Sequence, residues 1–465
     1  MEKLLFKKVE LWVLGLFIIA GCVGTVIFGA IVLDEERGNE ELGGDHFGAV
    51  GDIALAVAEI PENARQLLKT LGKSDSTMIA WLAQRSDQQG GWSWQKDPGT
   101  DGLDGFLLLS RYDGDQSRHV IELVSLKTGE VVHSWRPDPE ALLSNVTRKA
   151  EFEGTAQYEL WNNAYFRFIH PYLNANGELL LKDHQSPLFL ISACGDLKWF
   201  EDIHLFHHST EPDGEGGYWI PSYILEDQEN LSREFTNDAL ARVSADGEVV
   251  FLQSMIDIFD NNGLRHLMFP AAHFYKDPIH LNDIEPAMFD GPYWRKGDLF
   301  LSFRSPSLVA LYRPSTGQIV WSKSGPWQSQ HDVDILDESR IAIFNNNAYD
   351  SGLGARIDGV SETVVYDFAT DTVSFPYRDV METVNSGTIS EGLQDFTPSG
   401  HLVFEEENRG RLFVIDASGD IVALFLNKAQ NGYTYRMGWS RYMTQSHGEA
   451  ALKAITDSGC LTPEG

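Results

Sequence analysis

Glu178-Leu-Leu-Leu-Lys-Asp-His184-Gln-Ser-Pro-Leu-Phe-Leu-Ile-Ser-Ala-Cys-Gly195-Asp-Leu-Lys-Trp199 and Asp298-Leu-Phe-Leu-Ser-Phe-Arg304-Ser-Pro-Ser-Leu-Val-Ala-Leu-Tyr312-Arg-Pro-Ser-Thr-Gly317-Gln-Ile-Val-Trp321 are one pattern written twice. Each runs an apolar strand into a polar residue and Ser-Pro, then a second apolar strand, a glycine turn and a third strand closed by tryptophan. The unit can be traced four more times: Phe106 to Trp135, turning at Lys127-Thr-Gly129; Tyr218 to Leu252, at Asp246-Gly247; Ile341 to Phe375, at Asp371; and His401 to Leu426, at Ser418-Gly419. Six hairpin-signalled units of alternating pattern point to a repeat architecture. Radial packing of such sheets removes the exposed edges that all-β chains otherwise carry. The expected fold is therefore all-β, a six-bladed β-propeller over residues 101–441, followed by a tail at 442–465. Sandwich domains in series would not explain why one unit recurs.

The N-terminus has a different composition. Lys3, Lys7 and Lys8 precede an apolar run from Leu11 to Leu33, and Asp34-Glu35-Glu36 follows. About 20 apolar residues cross a bilayer as a helix, and cations before with acids after place the leading end in the cytoplasm. We expect a cytoplasmic tail at 1–10, a transmembrane helix at 11–33 and a helical linker at 34–100, with Asn63 to Lys69 helical behind Pro61. This implies a single-pass protein of the inner (cytoplasmic) membrane whose propeller faces the periplasm or exterior. Ile19-Ala-Gly-Cys22 also resembles a lipoprotein cleavage box, but the apolar run continues through Val23 to Leu33 where a polar tether would be expected. Cys194 and Cys460 could form one disulfide, which is not a framework.

The net charge of −32 sets 36 Lys and Arg against 68 Asp and Glu. It disfavours nucleic acid and anionic lipid as partners, so any anion site must be built from local donors. The first strand of the units ends in Tyr112, His184, Tyr223, Arg304, Asn346 and Glu406, which in a propeller would face the rim of the central channel. The loops add histidines at a shared position: His170 and His207 lie seven residues before Gly177 and Gly214, His331 stands in nearly the same place before Ser339, and His280 precedes a lengthened loop. In an extended segment His280 and Asn282 would project to one face. His204, His207 and His208 could suggest a metal, but a strand turns His204 and His207 to opposite faces and no carboxylate sits at ligand spacing. Asp283 and Glu285 could serve as acid and base, but a glycosidase requires a carboxylate pair at a defined separation, which a sequence does not show. Histidines, an asparagine and an arginine make a donor-rich pocket suited to a tetrahedral oxyanion. In the absence of a P-loop or a nucleophile elbow, a neutral imidazole is the strongest nucleophile.

His280-Leu-Asn282-Asp, the strand ending in Arg304, Pro314-Ser-Thr-Gly-Gln-Ile-Val-Trp321 and Gln330-His331-Asp332 resemble the arylsulfate sulfotransferases, as do Gly129-Glu-Val-Val-His133-Ser-Trp135 and Glu391-Gly-Leu-Gln394 through Arg411. The likeness runs from about Gly105 to Arg441. It implies a six-bladed propeller that works without the nucleotide sulfate donor or any other cofactor, moving a sulfuryl group from an aryl sulfate donor to a phenolic acceptor. It makes His331 the nucleophile that is sulfated, with His280, Asn282 and Arg304 on the sulfuryl oxygens. The histidine before Pro212-Asp-Gly would assist the phenolic oxygen, His207 by register and His208 as the alternative. His184 and Asn346 join the substrate-binding set by their place at strand ends. The enterobacterial members carry an N-terminal β-sandwich and a nearby cysteine pair that this chain lacks, and His208-Ser209 stands where many relatives have His-Asp. Trp294, Trp327 and Tyr349 could stack an aryl ring. The alternative is a non-catalytic anchored propeller that binds a periplasmic protein or a glycan.

Overall fold

The computed structural model describes residues 11–38, 86–97 and 102–460, apart from 153–157, 227–230, 233 and 270–273, together with scattered residues between 47 and 82. It divides into two units, Met1–Ser74 and Asp75–Gly465. In the first, Leu11–Gly38 is one helix. Its segment Gly15–Val32 is long and apolar enough to cross a membrane and none of it is buried, which suits a single-pass anchor or a signal sequence. The hydroxyl of Thr25 donates to Gly21 O at 2.9 Å, so the helix satisfies its own polar side chain, as lipid requires. The helical link expected at 63–69 lies outside the described residues.

The second unit is a β-propeller of antiparallel sheets. One four-stranded sheet runs Leu281–Pro286, Leu299–Phe303, Leu308–Arg313, Gln318–Ser324, and another Val333–Ile335, Arg340–Asn345, Glu362–Asp367, Thr372–Ser374. A third starts at Leu393–Phe396, continues through Leu402–Glu406, Arg411–Ile415 and Ile421–Leu426, and takes Gly91–Trp94 as a fifth, outer strand. The sheet of Phe106–Asp113, Arg118–Ser125 and Glu130–Trp135 is completed by Arg441–Met443 from the far end of the chain. Between Tyr172 and Ser254 an eight-stranded sheet is joined across its middle only at Phe206 opposite Ser222. A two-stranded ribbon, Ala348–Asp350 with Ala355–Ile357, stands apart.

Burial explains which strands were easy to read. Strands in the middle of a sheet are covered on both faces, as in Leu299–Phe303, where every residue is buried, and they read as nearly continuous apolar runs. The outer strand Gln318–Ser324 alternates residue by residue, the signature of one wet face. The closing tryptophans pack toward the next sheet: the Trp321 ring lies 4.7 Å from Phe368, and Trp199 Nε1 donates to Ala245 O at 3.1 Å. The turn glycine beneath Trp199 is required twice over. Gly247 has φ 86° and a Cβ there would stand 2.7 Å from the indole, so position and conformation both exclude a side chain.

The six larger core clusters each draw on two successive sheets or on the two halves of the eight-stranded one. Phe300 and Leu311 pack with Ile341 and Val364, Phe344 with Leu402 and Phe413, and Leu107 and Leu109 with Val403 and Leu412, which brings the ring back to its start. The 442–465 segment begins in the last strand and continues as helix Gln445–Asp457. That helix buries Gly448, Ala451 and Ile455, with Gly448 so close to Phe106 that a Cβ would meet the ring at 2.1 Å. Cys194 and Cys460 are bonded across 266 residues of sequence, tying the end of this helix to a hairpin turn. Cys194→Ser is expected to remove about 2–4 kcal/mol of stability, read as a lower midpoint in chemical denaturation without reductant; an unchanged midpoint would show the link to be idle.

Inner strands also carry buried acids that clamp one sheet to the next. Asp283 accepts the Val333 N–H at 3.1 Å, Asp332 that of Gln394 at 2.9 Å, and Asp395 that of Tyr442 at 2.8 Å. Burial pushes Asp283 up to about 8 and Asp395, Glu405 and Glu407 up to about 7, above the ~4 of an unfolded carboxyl. The fold therefore holds these protons more tightly than the unfolded chain, and their contribution is lost as pH rises toward 8. Lys182, which burial pushes down to about 7, opposes this above pH 7, but it is one group against four. The buried histidines act only below about 6.5. The melting temperature should fall by several degrees between pH 6.5 and 8.5; a rise would contradict the clamp.

Candidate active site

The turns that feed the inner strands share an uncommon backbone. His170, His208, His280, Glu391 and Trp439 all have φ between 46° and 61°, and Ser329, two residues before His331, has 51°. Left-handed backbone is rare away from glycine, and here it recurs just ahead of one strand after another. It turns His208, His280 and Glu391 into a cavity of about 350 Å³, which His331, Arg304 and His184 also line.

His331 is buried, with both ring nitrogens assigned by their neighbours. Asn346 donates its amide to Thr388 O at 3.1 Å and Glu391 O at 2.7 Å, so its Oδ1 is the acceptor for His331 Nδ1–H at 2.7 Å. His331 Nε2 accordingly carries the lone pair and accepts the Glu391 backbone N–H at 2.8 Å. Burial first, and then the Arg304 charge, hold His331 well below the usual imidazole range, which keeps it neutral.

Arg304 differs from the other cavity arginines. Its backbone N–H donates to His280 O at 3.0 Å, yet its buried Nε has no partner, and among the described residues no carboxylate lies within ion-pair distance of its guanidinium. Arg167, by contrast, is held by Glu391 at 2.9 Å and Glu407 at 3.1 Å, and Arg436 by Glu391 at 3.1 Å. Burial alone would raise the Glu391 carboxyl, but these two guanidiniums outweigh it and hold it well below the usual range. Arg304 is left facing the cavity without a contact ion pair, the Asp277 carboxylate across the cavity being the anion that feels its charge.

Several expected site residues lie elsewhere. Asn282 is fully buried, spends its amide on Gln330 O at 2.8 Å and does not line the cavity. The register shifts between Leu281 and Asp283, and this bulge, with the left-handed His280, breaks the alternation that would have put His280 and Asn282 on one face. His207 stands behind His208, stacked on Tyr223 with ring centroids 4.2 Å apart, its Nδ1 2.6 Å from His208 Nδ1. His170 takes the Thr210 N–H at 3.1 Å and meets Arg441 instead of the cavity. Of the strand-end set, His184, Tyr223 and Arg304 line the cavity and Asn346 supports His331 from behind. Tyr112 stacks on Tyr435, and Glu406 pairs with Arg411. Trp294 and Trp327 are core residues, Tyr349 lies on the ribbon, and none of them lines the cavity. The aromatic rings nearest the imidazoles are Tyr223 and Trp439, the latter 5.9 Å from His331. Sequence reading missed Asp277, Arg167 and Arg436. Asp277 had a signal, three residues before His280, whereas the arginines sit in no pattern.

The family model for arylsulfotransferases (ASST) matches residues 193–428, just over half of the chain. The chain belongs to this family. The arylsulfotransferase region contains His208, His280, Arg304, His331, Asn346 and Glu391, while Arg167, His184 and Arg436 come from outside it. No curated protein matches the sequence. Among solved structures, this arylsulfotransferase resembles a protein of unknown function from Bacteroides caccae (12% identity, 73% of this chain, 99% of that one, TM-score 0.46). It also resembles the WD40 domain of Neurospora crassa Pan2 (8%, 77% and 96%, TM-score 0.38) and the WD40 propeller of Doa1 (11%, 78% and 96%, TM-score 0.37).

Proposed function

We propose that this arylsulfotransferase moves a sulfuryl group from a phenolic sulfate ester to a phenolic acceptor through a sulfated His331. The observation that carries the reading is the pairing of a guanidinium held in no contact ion pair, Arg304, its buried Nε unpartnered, with a neutral imidazole whose proton Asn346 keeps on Nδ1. A sulfate ester is a tetrahedral anion, and Arg304 supplies charge for its oxygens without first surrendering a salt bridge. In the first half-reaction the His331 Nε2 lone pair forms the N–S bond, the S–O bond breaks, and its electron pair stays on the phenolic oxygen, which takes up a proton. In the second, the acceptor phenol gives up its proton as its oxygen forms the new S–O bond, and the N–S pair returns to His331. Positioning and charge stabilisation supply most of the acceleration in such transfers. For Nε2 to attack, the ring must exchange the Glu391 N–H for sulfur, which leaves that N–H free to meet a sulfuryl oxygen.

Mass spectrometry of the intact protein after incubation with 4-nitrophenyl sulfate tests this. We expect the gain of one SO3 group, lost on adding a phenol; no adduct across several aryl sulfates would favour a binding module.

We also read six blades. The eight-stranded sheet is then two blades held by one residue pair, and the inter-sheet clusters close after six steps. The propeller then takes in Gly91–Trp94 and Arg441–Met443, beyond the 101–441 limits expected from the repeats. We place it outside the inner membrane as a single-pass protein, a reading supported by the charges flanking the N-terminal helix and by a disulfide that suits an oxidising compartment.

A further inference from the structure

A departing phenolate needs a proton, and the cavity holds four imidazoles that could supply one: His184, His208, His280 and His331. A neutral imidazole cannot act as an acid near neutral pH, so the question is which ring can carry a second proton. His331 is excluded by the contacts already described: its only proton is on Nδ1, and Nε2 accepts from Glu391. His208 is excluded through its neighbour. His207 Nε2 faces the carbonyl of Ser222 at 3.2 Å and a carboxyl oxygen of Asp238 at 3.3 Å; the carbonyl can only accept, so that nitrogen bears the proton and His207 Nδ1 accepts. His208 Nδ1 is then the donor across the 2.6 Å contact, which leaves a lone pair on His208 Nε2. Burial, and then other ring charges, hold His208 well below the usual range. His184 accepts the His208 N–H on Nδ1 at 3.4 Å, and the carboxylate nearest its Nε2, Glu391 at 3.6 Å, is already taken by Arg167 and Arg436.

His280 differs from the other three. Its Nδ1 is hydrogen-bonded to the Asp277 carboxylate, and Asp277 also lines the cavity. Burial would raise the Asp277 carboxyl, but the His280 hydrogen bond and charge reverse this and bring it below its ordinary value, so it is an anion. The other ionisable groups facing His280 are Asp238, His207, His208 and His331, with Arg304 attached to its backbone carbonyl. Burial pushes Asp238 well above the usual range and so leaves it uncharged. Asp277 is thus the anion at this imidazole.

We infer that Asp277 is a positioning residue that fixes the His280 ring through Nδ1, so that the protonated ring delivers its Nε2–H to the leaving phenolic oxygen. This rests on the sulfuryl-transfer reading above and reassigns the proton from the His207 and His208 segment to His280. The balance is simple: the S–O electron pair ends as the O–H bond of the released phenol, His280 becomes neutral, and in the return half-reaction its Nε2 takes the acceptor's proton. A carboxylate behind an imidazole orients and stabilises the charged ring in just this way in other acid–base sites.

The test is Asp277→Asn in the full chain, assayed with two donors. Protonation matters for 4-methylphenyl sulfate, whose phenolate is a poor leaving group, and little for 4-nitrophenyl sulfate. We expect kcat/KM to fall about 100-fold or more for the first and less than about 10-fold for the second, with the alkaline limb of the pH profile moved to lower pH, and with partial recovery in Asp277→Glu. An equal loss on both donors, in a variant whose melting temperature is unchanged, would overturn the inference and leave sulfuryl transfer standing. If the wild-type protein transfers nothing, that reading fails by itself. The pair is then judged by the 15N spectrum of ring-labelled histidine, where Asp277→Asn must change the titration of His280; an unchanged His280 signal sinks the pair whatever the activity.

Discussion

If His331 is the nucleophile as proposed, His331→Ala should abolish the SO3 adduct and lower sulfuryl transfer by at least ~10^4-fold for every donor, since the covalent intermediate then has no atom to form on. The contrast with its neighbours makes the measurement informative. Loss of a merely supporting histidine would leave a slow adduct that accumulates over hours, whereas loss of the nucleophile leaves none at any time. Asn346→Ala supplies the intermediate case. It frees Nδ1 to take either tautomer and releases the ring from the Thr388 and Glu391 carbonyls that the amide now joins, so the adduct should still form, about 10–100-fold more slowly. A His331→Ala protein that retains transfer from 4-nitrophenyl sulfate would end the covalent mechanism, and a His331→Ala protein that fails to fold would be recognised by its melting temperature.

How much of this was legible in the sequence depends on which periodicity survived folding. The strand-turn-strand units were visible because outer strands such as Gln318–Ser324 keep one wet face and because Trp321 and Gly317 recur at fixed places. His331, His280, Arg304 and Asn346 could be singled out because they sit at ends of those units; the first three line one cavity and Asn346 bonds to His331. His207 and Asn282 do not line the cavity for related reasons: His207 was chosen by its count to Gly214 and Asn282 by two-residue alternation from His280, and the backbone departs from regular register at His208, at His280 and at the Leu281/Asp283 shift. A left-handed non-glycine residue has no mark in a single sequence. The two extra arginines were invisible for another reason: Arg167 precedes its inner strand and Arg436 arrives from the far end of the chain, and only ring closure brings them to Glu391. Glu391 itself was noticed within a motif, but its two functions, a backbone N–H on His331 and a carboxylate between guanidiniums, exist only in three dimensions.

Arg304→Ala should cut kcat/KM for aryl sulfates about 10^2–10^3-fold, the usual loss when a preorganised charge at a developing anion is removed, while leaving the fold intact. The second half of this expectation is the more diagnostic. Arg304 makes no contact ion pair among the described residues and its Nε already lacks a partner, while Asp277, the carboxylate that feels its charge, keeps its hydrogen bond to His280, so truncating Arg304 leaves no carboxylate without a partner and stability should change by less than about 1 kcal/mol. Arg167→Ala is the control with the opposite profile. It leaves Glu391 and Glu407 without the guanidinium that bridges them and should cost about 3–5 kcal/mol of stability, as removing one partner of a buried pair does. Arg304→Lys keeps the charge but loses the planar fork, so it should recover part of the rate and none of any two-point grip on the sulfuryl oxygens. If Arg304→Ala instead lowered the melting temperature as far as Arg167→Ala and left kcat/KM within about threefold of wild type, the guanidinium would be a structural element. The cavity would then lack a free charge to hold an anion.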